Sequence, residues 1–201
     1  VGKVDYVVCE GTNVSRPDST SCTEVELQKT FQNALTQKIG HIVYLSSTNI
    51  DRLFSFYHAA LRAGMPFIVD AYQKQVMDIV AKSDSLWSKS KLYRYGEYEP
   101  LTLFRKGNDF AFNDKFVETI TKKGYVLIAR ANPKFDKLIN ELPGEKKKYL
   151  SMWQGYLDER KEAYNAALAK ALEGGYEYLH TSGHCDIRSM NNLFQLLHPK
   201  A

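Results

Sequence analysis

Two histidines near the end of the chain are the residues whose types and spacing best suit chemistry. His180 and His184 flank a Ser-Gly pair in the stretch "HTSGHCD". Either imidazole can donate a hydrogen bond to a phosphate oxygen or transfer a proton near neutral pH. The stretch follows a predicted strand and precedes a predicted helix, whose free backbone amides favour an anion. It therefore predicts a turn that binds an anion. The alternative is a structural turn, in which the histidines only cap the helix and pack.

Zinc binding and thiol chemistry are weaker interpretations of the same stretch. His180, His184 and Cys185 offer ligand types that zinc accepts, but a closed structural site needs four ligands and the sequence contains no CxxC pair. Cys185 is a poor candidate for a nucleophile, because nothing beside it marks the thiol as activated. Both interpretations rank below the anion-binding turn.

Two further polar stretches occupy comparable positions in the chain. "CEGTN" puts Glu10 at the end of the first predicted strand, either facing a site or lying on the surface beside a turn. "LSSTNIDR" follows the second strand, and its Ser47, Thr48 and Asn49 suit a phosphate cradle or a helix cap. All three stretches follow the carboxyl end of a strand. If those strands share one parallel sheet, the loops converge on one rim, where ligands bind.

Short apolar runs alternate with helical patterns along most of the chain. This alternation predicts an α/β protein with a parallel, doubly wound (Rossmann-like) sheet and helices on both faces. A long helix is predicted over 156–172, and the basic run at 145–149 is interpreted as solvated surface rather than a nucleic-acid contact. The predicted strands are 4–9, 40–47, 66–72, 124–130 and 176–180, and the other predicted helices are 23–38, 49–64, 73–82, 132–142 and 186–197.

The overall composition excludes few classes of protein. Hydrophobic residues make up 44% and charged residues 25% of the chain, as in ordinary globular domains. The net charge of +4 is compatible with a polyanionic partner, but the excess is small. No apolar run approaches the roughly 20 residues that span a bilayer, and no signal peptide is visible. The cysteines are odd in number and widely spaced, which favours a reducing cytoplasm over a disulfide framework.

Taken in order, these stretches resemble the metallo-β-lactamase-fold nucleases of the β-CASP family. "VDYVVCEGTN" is similar to the strand and acid motif that follows the metal-binding half of such enzymes. "IVYLSSTNIDR" and "AGMPFIVDAY" are similar to the opening of the inserted β-CASP domain, and "HTSGHCD" resembles the His-x-Ser-Gly-His form of ribonuclease J-like members. The order and spacing of these motifs agree with those of the family across nearly the whole chain. Residues of about 80–150 match the family only in general character.

The resemblance implies a division of the chain into three segments. Residues 1–16 would belong to the metallo-β-lactamase fold, 17–155 would form the β-CASP domain, and 156–201 would return to the metallo-β-lactamase fold. The outer segments would contribute flanking strands. The chain begins without methionine and stops after a predicted helix where another strand is expected, so we expect a piece of a longer protein.

The resemblance also implies roles for individual residues. Glu10 and His184 would form a catalytic pair, in which the histidine assists proton transfer to the leaving group. A carboxylate stabilises the protonated form of an imidazole that it contacts, which provides a proton donor near neutral pH. The resemblance implies that His180 and Ser182 contact the substrate phosphate. The chemistry of the turn and of the loop after the second strand adds four further phosphate-binding candidates, which are Gly183, Ser47, Thr48 and Asn49.

Such enzymes hold two zinc ions, and the expected ligands lie outside this chain. The His-x-His-x-Asp-His cluster of the family should precede the chain, and a last metal-binding histidine should follow beyond Lys200. Bridging zinc ions would activate the attacking water, so we expect the chain to be inactive by itself. The resemblance predicts a fragment of a cytoplasmic, zinc-dependent ribonuclease, with exo- or endonuclease action undecided. Its partner would be RNA or another nucleic acid rather than a membrane, and a homodimer of the intact protein stays open.

Three other functions remain as alternatives. A module that grips nucleic acid without cleaving it would need the basic and aromatic surface but no Glu10–His184 pair. A hydrolase of the same fold acting on DNA or another phosphodiester would have an indistinguishable sequence here. An unrelated nucleotide-binding domain is disfavoured, because the sequence contains neither GxGxxG nor GxxxxGK[ST].

Overall fold

A computed structural model describes residues 4–12, 22–85, 89–106 and 109–200 of the chain. Most of the predicted loop at 11–22 lies outside these residues. The chain divides into two compact units. The first unit comprises Val1–Thr23 and Thr181–Ala201, and the second comprises Glu24–His180.

The second unit is built on a parallel sheet. Its strands, with those of a separate hairpin, are β1 (Gly40–Tyr44), β2 (Phe67–Val69), β3 (Leu101–Thr102), β4 (Phe104–Lys106), β5 (Asp109–Ala111), β6 (Tyr125–Ala129), β7 (Lys146–Leu150) and β8 (Glu177–Tyr178). The sheet has the order β3-β2-β6-β1-β7-β8, and each neighbouring pair is parallel. Strands β4 and β5 form the antiparallel hairpin.

Helices connect the strands and begin at polar caps. They are α1 (Glu24–Ala34), α2 (Ile50–Arg62), α3 (Ala71–Lys82), α4 (Asp114–Lys123), α5 (Pro133–Glu141) and α6 (Ala166–Ala171), with α7 (Ile187–Leu197) in the first unit. Short 3₁₀ turns occupy Lys91–Tyr93 and Gln154–Leu157. Asn49 caps α2 and Asn132 caps α5, each accepting a bond from a free backbone N–H of the first turn.

Both faces of the sheet are buried, because successive side chains of a strand point to opposite faces. Val43 and Ile128 enter one apolar core, which α1, α2 and α3 complete. Ile42 and Leu127 enter a second core, which α4, α5 and α6 complete. The predicted α/β class, with a parallel, doubly wound sheet and helices on both faces, is therefore confirmed. No helix in the described ranges has the length and apolar character needed to cross a bilayer.

The strand predicted at 4–9 is wrong. No strand is assigned within described residues 4–12. Tyr6 is 77% exposed and Val8 99% exposed, so the apolar run packs against little. A strand needs a neighbour that pairs with successive backbone groups, and the described residues form no such ladder with this run, although the N–H of Lys200 donates to the carbonyl of Asp5 at 3.1 Å. The expected flanking strand is therefore absent from the described part of the first unit.

The long helix predicted over 156–172 is also wrong. The chain forms the 3₁₀ turn Gln154–Leu157, then turns, and becomes α-helical only in α6. Asp158 accepts bonds from the backbone N–H and the guanidinium of Arg160. The side chain of Asn165 accepts from the N–H of Leu168 at 3.0 Å and so begins the helix there. Short polar side chains compete with the helix for backbone bonds, and they outweigh the favourable composition.

The basic run at 145–149 is mostly strand β7 rather than solvated surface alone. The last two residues of β7, Tyr149 and Leu150, are fully buried on opposite faces of the sheet. The lysines before them make internal bonds: Lys147 Nζ lies 2.6 Å from a carboxylate oxygen of Glu177. The three adjacent lysines interrupt the apolar pattern that indicates a strand, so the sequence did not predict β7.

Candidate functional site

Glu10 and His184 come from opposite ends of the chain and meet in the first unit. His184 Nδ1 lies 3.3 Å from Glu10 Oε2. The backbone N–H of Cys185 donates to Glu10 Oε1, and that of Thr12 donates to Oε2 at 2.9 Å. The structure thus brings together the two residues that the family resemblance pairs.

Backbone donors fix the charge of this carboxylate. The hydrogen bond from the Thr12 backbone lowers the pKa of Glu10 most, and the Thr12 side chain and the N–H of Cys185 lower it further, to about 2. The carboxylate is therefore ionised near neutral pH and can only accept hydrogen bonds. When His184 bonds Glu10 through Nδ1, that nitrogen carries the proton, because an ionised carboxylate can only accept. Both side chains are about half exposed, at 42% and 55%.

The turn before His184 has a simple local structure. Ser182 Oγ accepts from the backbone N–H of His184 at 3.2 Å. A Cβ added at Gly183 would meet no atom within 4 Å, so the fold of the turn does not require glycine. Asp186, which follows, caps α7 by accepting from the N–H of Ser189 at 2.7 Å. The acid of this motif therefore has a structural role, while Ser182 supports the backbone of His184.

The loop after β1 lies in the second unit and is internally bonded. Ser47 Oγ accepts from Gln73 Nε2 at 3.2 Å. Thr48 Oγ1 lies 3.0 Å from the hydroxyl of Ser46. Asn49 Oδ1 accepts from the backbone N–H at the start of α2 at 3.1 Å. Helix capping therefore accounts for Asn49, whereas Thr48 keeps an exposed hydroxyl at the sheet edge.

A buried arginine connects the start of α2 to His180, and the sequence analysis missed it. Arg52 is 1% exposed and forms an ion pair with Glu24 at 2.9 Å. Its Nη1 donates to Ser151 Oγ at 2.6 Å and lies 3.2 Å from His180 Nδ1. A buried guanidinium is tolerated only when its charge and donors are satisfied, as they are here. The only sequence signal was a charged residue on the otherwise apolar face of α2.

Arg52 determines the protonation of His180. A guanidinium has no acceptor, so the contact is a hydrogen bond only when Nδ1 is unprotonated, and the neutral ring then carries its proton on Nε2. Burial and then the charge of Arg52 lower the pKa of His180, while a hydrogen bond with the Ser151 backbone partly opposes them. His180 is therefore neutral at pH 7. It is suited to donate a hydrogen bond to an anion rather than to transfer protons.

Several of these groups follow the carboxyl ends of neighbouring strands. The loop with Ser47 follows β1, Ser151 follows β7 and His180 follows β8. Within the second unit, the loop with Ser47 and the residue His180 therefore lie at the same rim of the sheet, as the sequence predicts for these two groups. The same rim holds a second pair that the sequence did not suggest, since Arg130 after β6 donates to the buried carboxylate of Asp70 after β2.

The described residues do not fit a zinc centre. Within the described part of the chain, no group of three or more His, Cys, Asp and Glu side chains could hold a metal ion. His180 faces the fixed positive charge of Arg52, which opposes a cation at the same nitrogen.

An apolar cavity of about 170 Å³ lies elsewhere in the second unit. Its walls include Tyr57, Met65 and Phe67, near the amino ends of β2 and β3. Parallel sheets bind ligands at the carboxyl ends of their strands, and the cavity offers few polar groups. The residues at the carboxyl rim are therefore the stronger candidates for chemistry.

The fold and these contacts define an α/β protein with a doubly wound parallel sheet and polar groups at its carboxyl rim. Comparison with protein-family models finds no match for this chain, and comparison with curated proteins finds none either.

Proposed function

We propose that the chain is the β-CASP domain, with flanking metallo-β-lactamase-fold segments, of a zinc-dependent phosphodiesterase that processes RNA. The observation that carries the proposal is the 3.3 Å contact between Glu10 and His184. The family resemblance requires this carboxylate and this imidazole to pair, although the two residues lie near opposite ends of the chain.

In this proposal the pair transfers a proton. Glu10 accepts the bond from Nδ1–H of His184 and so orients the ring. Nε2 then protonates the leaving oxygen of a phosphodiester, a contribution of about 10²–10⁴-fold to the rate. Zinc ions in the intact protein would activate the attacking water.

The remaining candidates are proposed to bind phosphate. His180 supplies an uncharged Nε2–H donor whose orientation Arg52 fixes, and the hydroxyl of Thr48 is exposed. A donor fixed in advance costs little conformational entropy when the anion binds. The other proposed phosphate contacts are Ser182, Gly183, Ser47 and Asn49, with Asn49 also capping α2.

The test compares cleavage and binding in a longer protein that carries this chain together with its metal-binding segments. Such a protein should cleave single-stranded RNA with zinc, and His184→Ala should abolish cleavage while RNA binding survives. RNA binding without any cleavage would instead identify a binding module. Preferential cleavage of DNA or of small phosphodiesters would redefine the substrate. Robust nuclease activity of the 201-residue chain alone after zinc addition would contradict the proposal that it is an inactive part.

A further inference from the structure

We propose that Trp153, Tyr156 and Tyr178 form a stacking surface for the bases of single-stranded nucleic acid. This inference rests on the proposed function and names where the bases would lie. The three residues, here called the aromatic strip, belong to the second unit. Trp153 and Tyr156 follow the end of β7, and Tyr178 is the last residue of β8, two positions before His180.

The rings of the aromatic strip are exposed and adjacent. Trp153 is 47% exposed, Tyr156 36% and Tyr178 44%. The Trp153 and Tyr156 rings are 5.7 Å apart in an edge-to-face arrangement. Burial raises the pKa of the Tyr178 hydroxyl and the nearby backbone of Gln154 lowers it, so this hydroxyl lies close to the turn that joins Trp153 to Tyr156. Exposed large rings concentrated in one place mark an interaction surface rather than ordinary packing.

The strip is continuous with the candidate phosphate donor. The rings of Tyr178 and His180 have centroids 5.8 Å apart, and His180 in turn contacts Arg52. A neutral N–H donor beside exposed aromatic faces matches the alternation of phosphate and base along a single strand. The arrangement therefore favours a nucleic-acid strand as the occupant.

The indole is held in place before any ligand arrives. A Cβ added to Gly155 would lie 2.3 Å from atoms of the Trp153 ring, so the ring packs directly against this backbone. The N–H of Asn165 donates to the carbonyl of Tyr156 at 2.8 Å and closes the turn. A ring fixed in this way loses little freedom on stacking, which favours binding.

The charges around the strip predict how it would bind. Lys161 Nζ lies 5.3 Å from the Trp153 ring centroid. A lysine over an exposed ring is held more weakly than a stacked base, so a base would displace it and free it for a phosphate. Asp158, Glu159 and Glu162 lie in the same segment and offset Arg160 and Lys161. Binding at the strip should therefore depend on stacking and only weakly on salt.

The experiment uses the fluorescence of Trp153. The chain has two tryptophans, so Trp87→Phe leaves Trp153 as the single reporter. The probes are a 5′-phosphorylated oligouridylate and an abasic ribose-phosphate strand of equal length and charge. We expect the oligouridylate to quench Trp153 and the abasic strand not to. Tyr178→Ala should weaken oligouridylate binding about tenfold.

Two further variants make the test specific. Tyr98→Ala removes a 65% exposed ring that precedes β3, at the amino ends of the strands, and should leave binding unchanged. Gly155→Ala should displace the indole and reduce quenching while the ring itself is retained. A circular dichroism spectrum like that of the parent chain establishes that each variant is folded.

The outcomes separate this inference from the proposed function. Equal quenching by both strands would overturn the stacking surface. So would binding that neither quenches Trp153 nor weakens in Tyr178→Ala. Either result would leave the nuclease proposal intact. Base-dependent quenching, combined with cleavage that survives His184→Ala in the longer protein, would support the surface and refute the catalytic pair. No binding of either strand would overturn the stacking surface.

Discussion

Arg52 Nη1 lies 3.2 Å from His180 Nδ1, and this contact gives the two histidines of the His-x-Ser-Gly-His stretch different chemistry. His180 faces a guanidinium that can only donate, so it is held neutral with its proton on Nε2. His184 faces the ionised carboxylate of Glu10, which can only accept, so its Nδ1 carries the proton. One histidine is thereby suited to binding and the other to proton transfer.

The first prediction concerns the tautomer of His180. Long-range ¹H–¹⁵N correlation spectra of the chain at pH 7 should show a neutral ring protonated on Nε2. Arg52→Met should raise the pKa of His180 toward its ordinary value of 6.5, because the guanidinium charge is removed. A neutral ring protonated on Nδ1 in the parent chain would contradict the assignment. Ser151→Ala, which removes another partner of Arg52, should leave the tautomer unchanged.

The second prediction concerns the partner of the buried guanidinium. Glu24→Ala should destabilise the chain by about 3–5 kcal/mol, since it leaves Arg52 buried without its counter-charge. The urea midpoint of unfolding provides the measurement. Lys137→Ala is the matched control, because Lys137 and Glu141 form a long, exposed ion pair that should contribute about 1 kcal/mol or less. Equal effects of the two substitutions would show that the buried pair has no special weight.

The third prediction concerns proton transfer in a longer, zinc-containing protein. Glu10→Gln should lower kcat about 10²–10⁴-fold, because an amide, unlike a carboxylate, can present a donor to Nδ1 and no longer fixes the orientation of the imidazole. Since the pKa of Glu10 is about 2, its titration should not appear in a pH–rate profile measured between about pH 5 and 9. Cys9→Ala, at an exposed neighbouring side chain, provides the control and should retain activity. Retention of full activity by Glu10→Gln would remove the carboxylate from the mechanism.

The fourth prediction concerns a buried polar contact beneath the sheet. His41 is fully buried, with Nδ1 3.0 Å from the hydroxyl of Tyr149 and Nε2 3.0 Å from the carbonyl of Gln37. Tyr149→Phe leaves Nδ1 without its donor and should cost about 1–3 kcal/mol of unfolding free energy. Tyr72→Phe, at an exposed ring, should change stability little. Thermal unfolding of both variants would test this, and equal melting temperatures would contradict it.

The same histidine makes stability depend on pH. Burial lowers the pKa of His41 below its ordinary 6.5, so the unfolded chain binds a proton more readily than the folded chain does. Its contribution to stability is complete above pH 6.5 and is lost as the pH falls below that value. The free energy of unfolding of the parent chain should therefore decrease between pH 6.5 and 5. His41→Asn should reduce the dependence.

Local sequence determined much of the framework of this protein. The apolar runs at β1, β2 and β6 were predicted because strands buried on both faces need continuous apolar residues. The starts of α2 and α5 were predicted because asparagine before an amphipathic pattern caps a helix through its own side chain. These preferences act within a few residues, so a single stretch of sequence reveals them. The pairing of Glu10 with His184 was anticipated only through the family resemblance.

Only the tertiary structure decided the rest. Strand β7 forms through its lysine run because β1 and β8 pair with its backbone on either side, and the helix expected over 156–172 yields to local polar bonds around Asp158 and Asn165. Arg52 is charged on an otherwise apolar helix face, and its partners Glu24, Ser151 and His180 are scattered along the chain. Burial excludes water from such groups, so their protonation depends on whichever residues the fold brings beside them. The sequence therefore supplied two equivalent imidazoles, and their three-dimensional neighbours made one a fixed donor and the other a candidate acid.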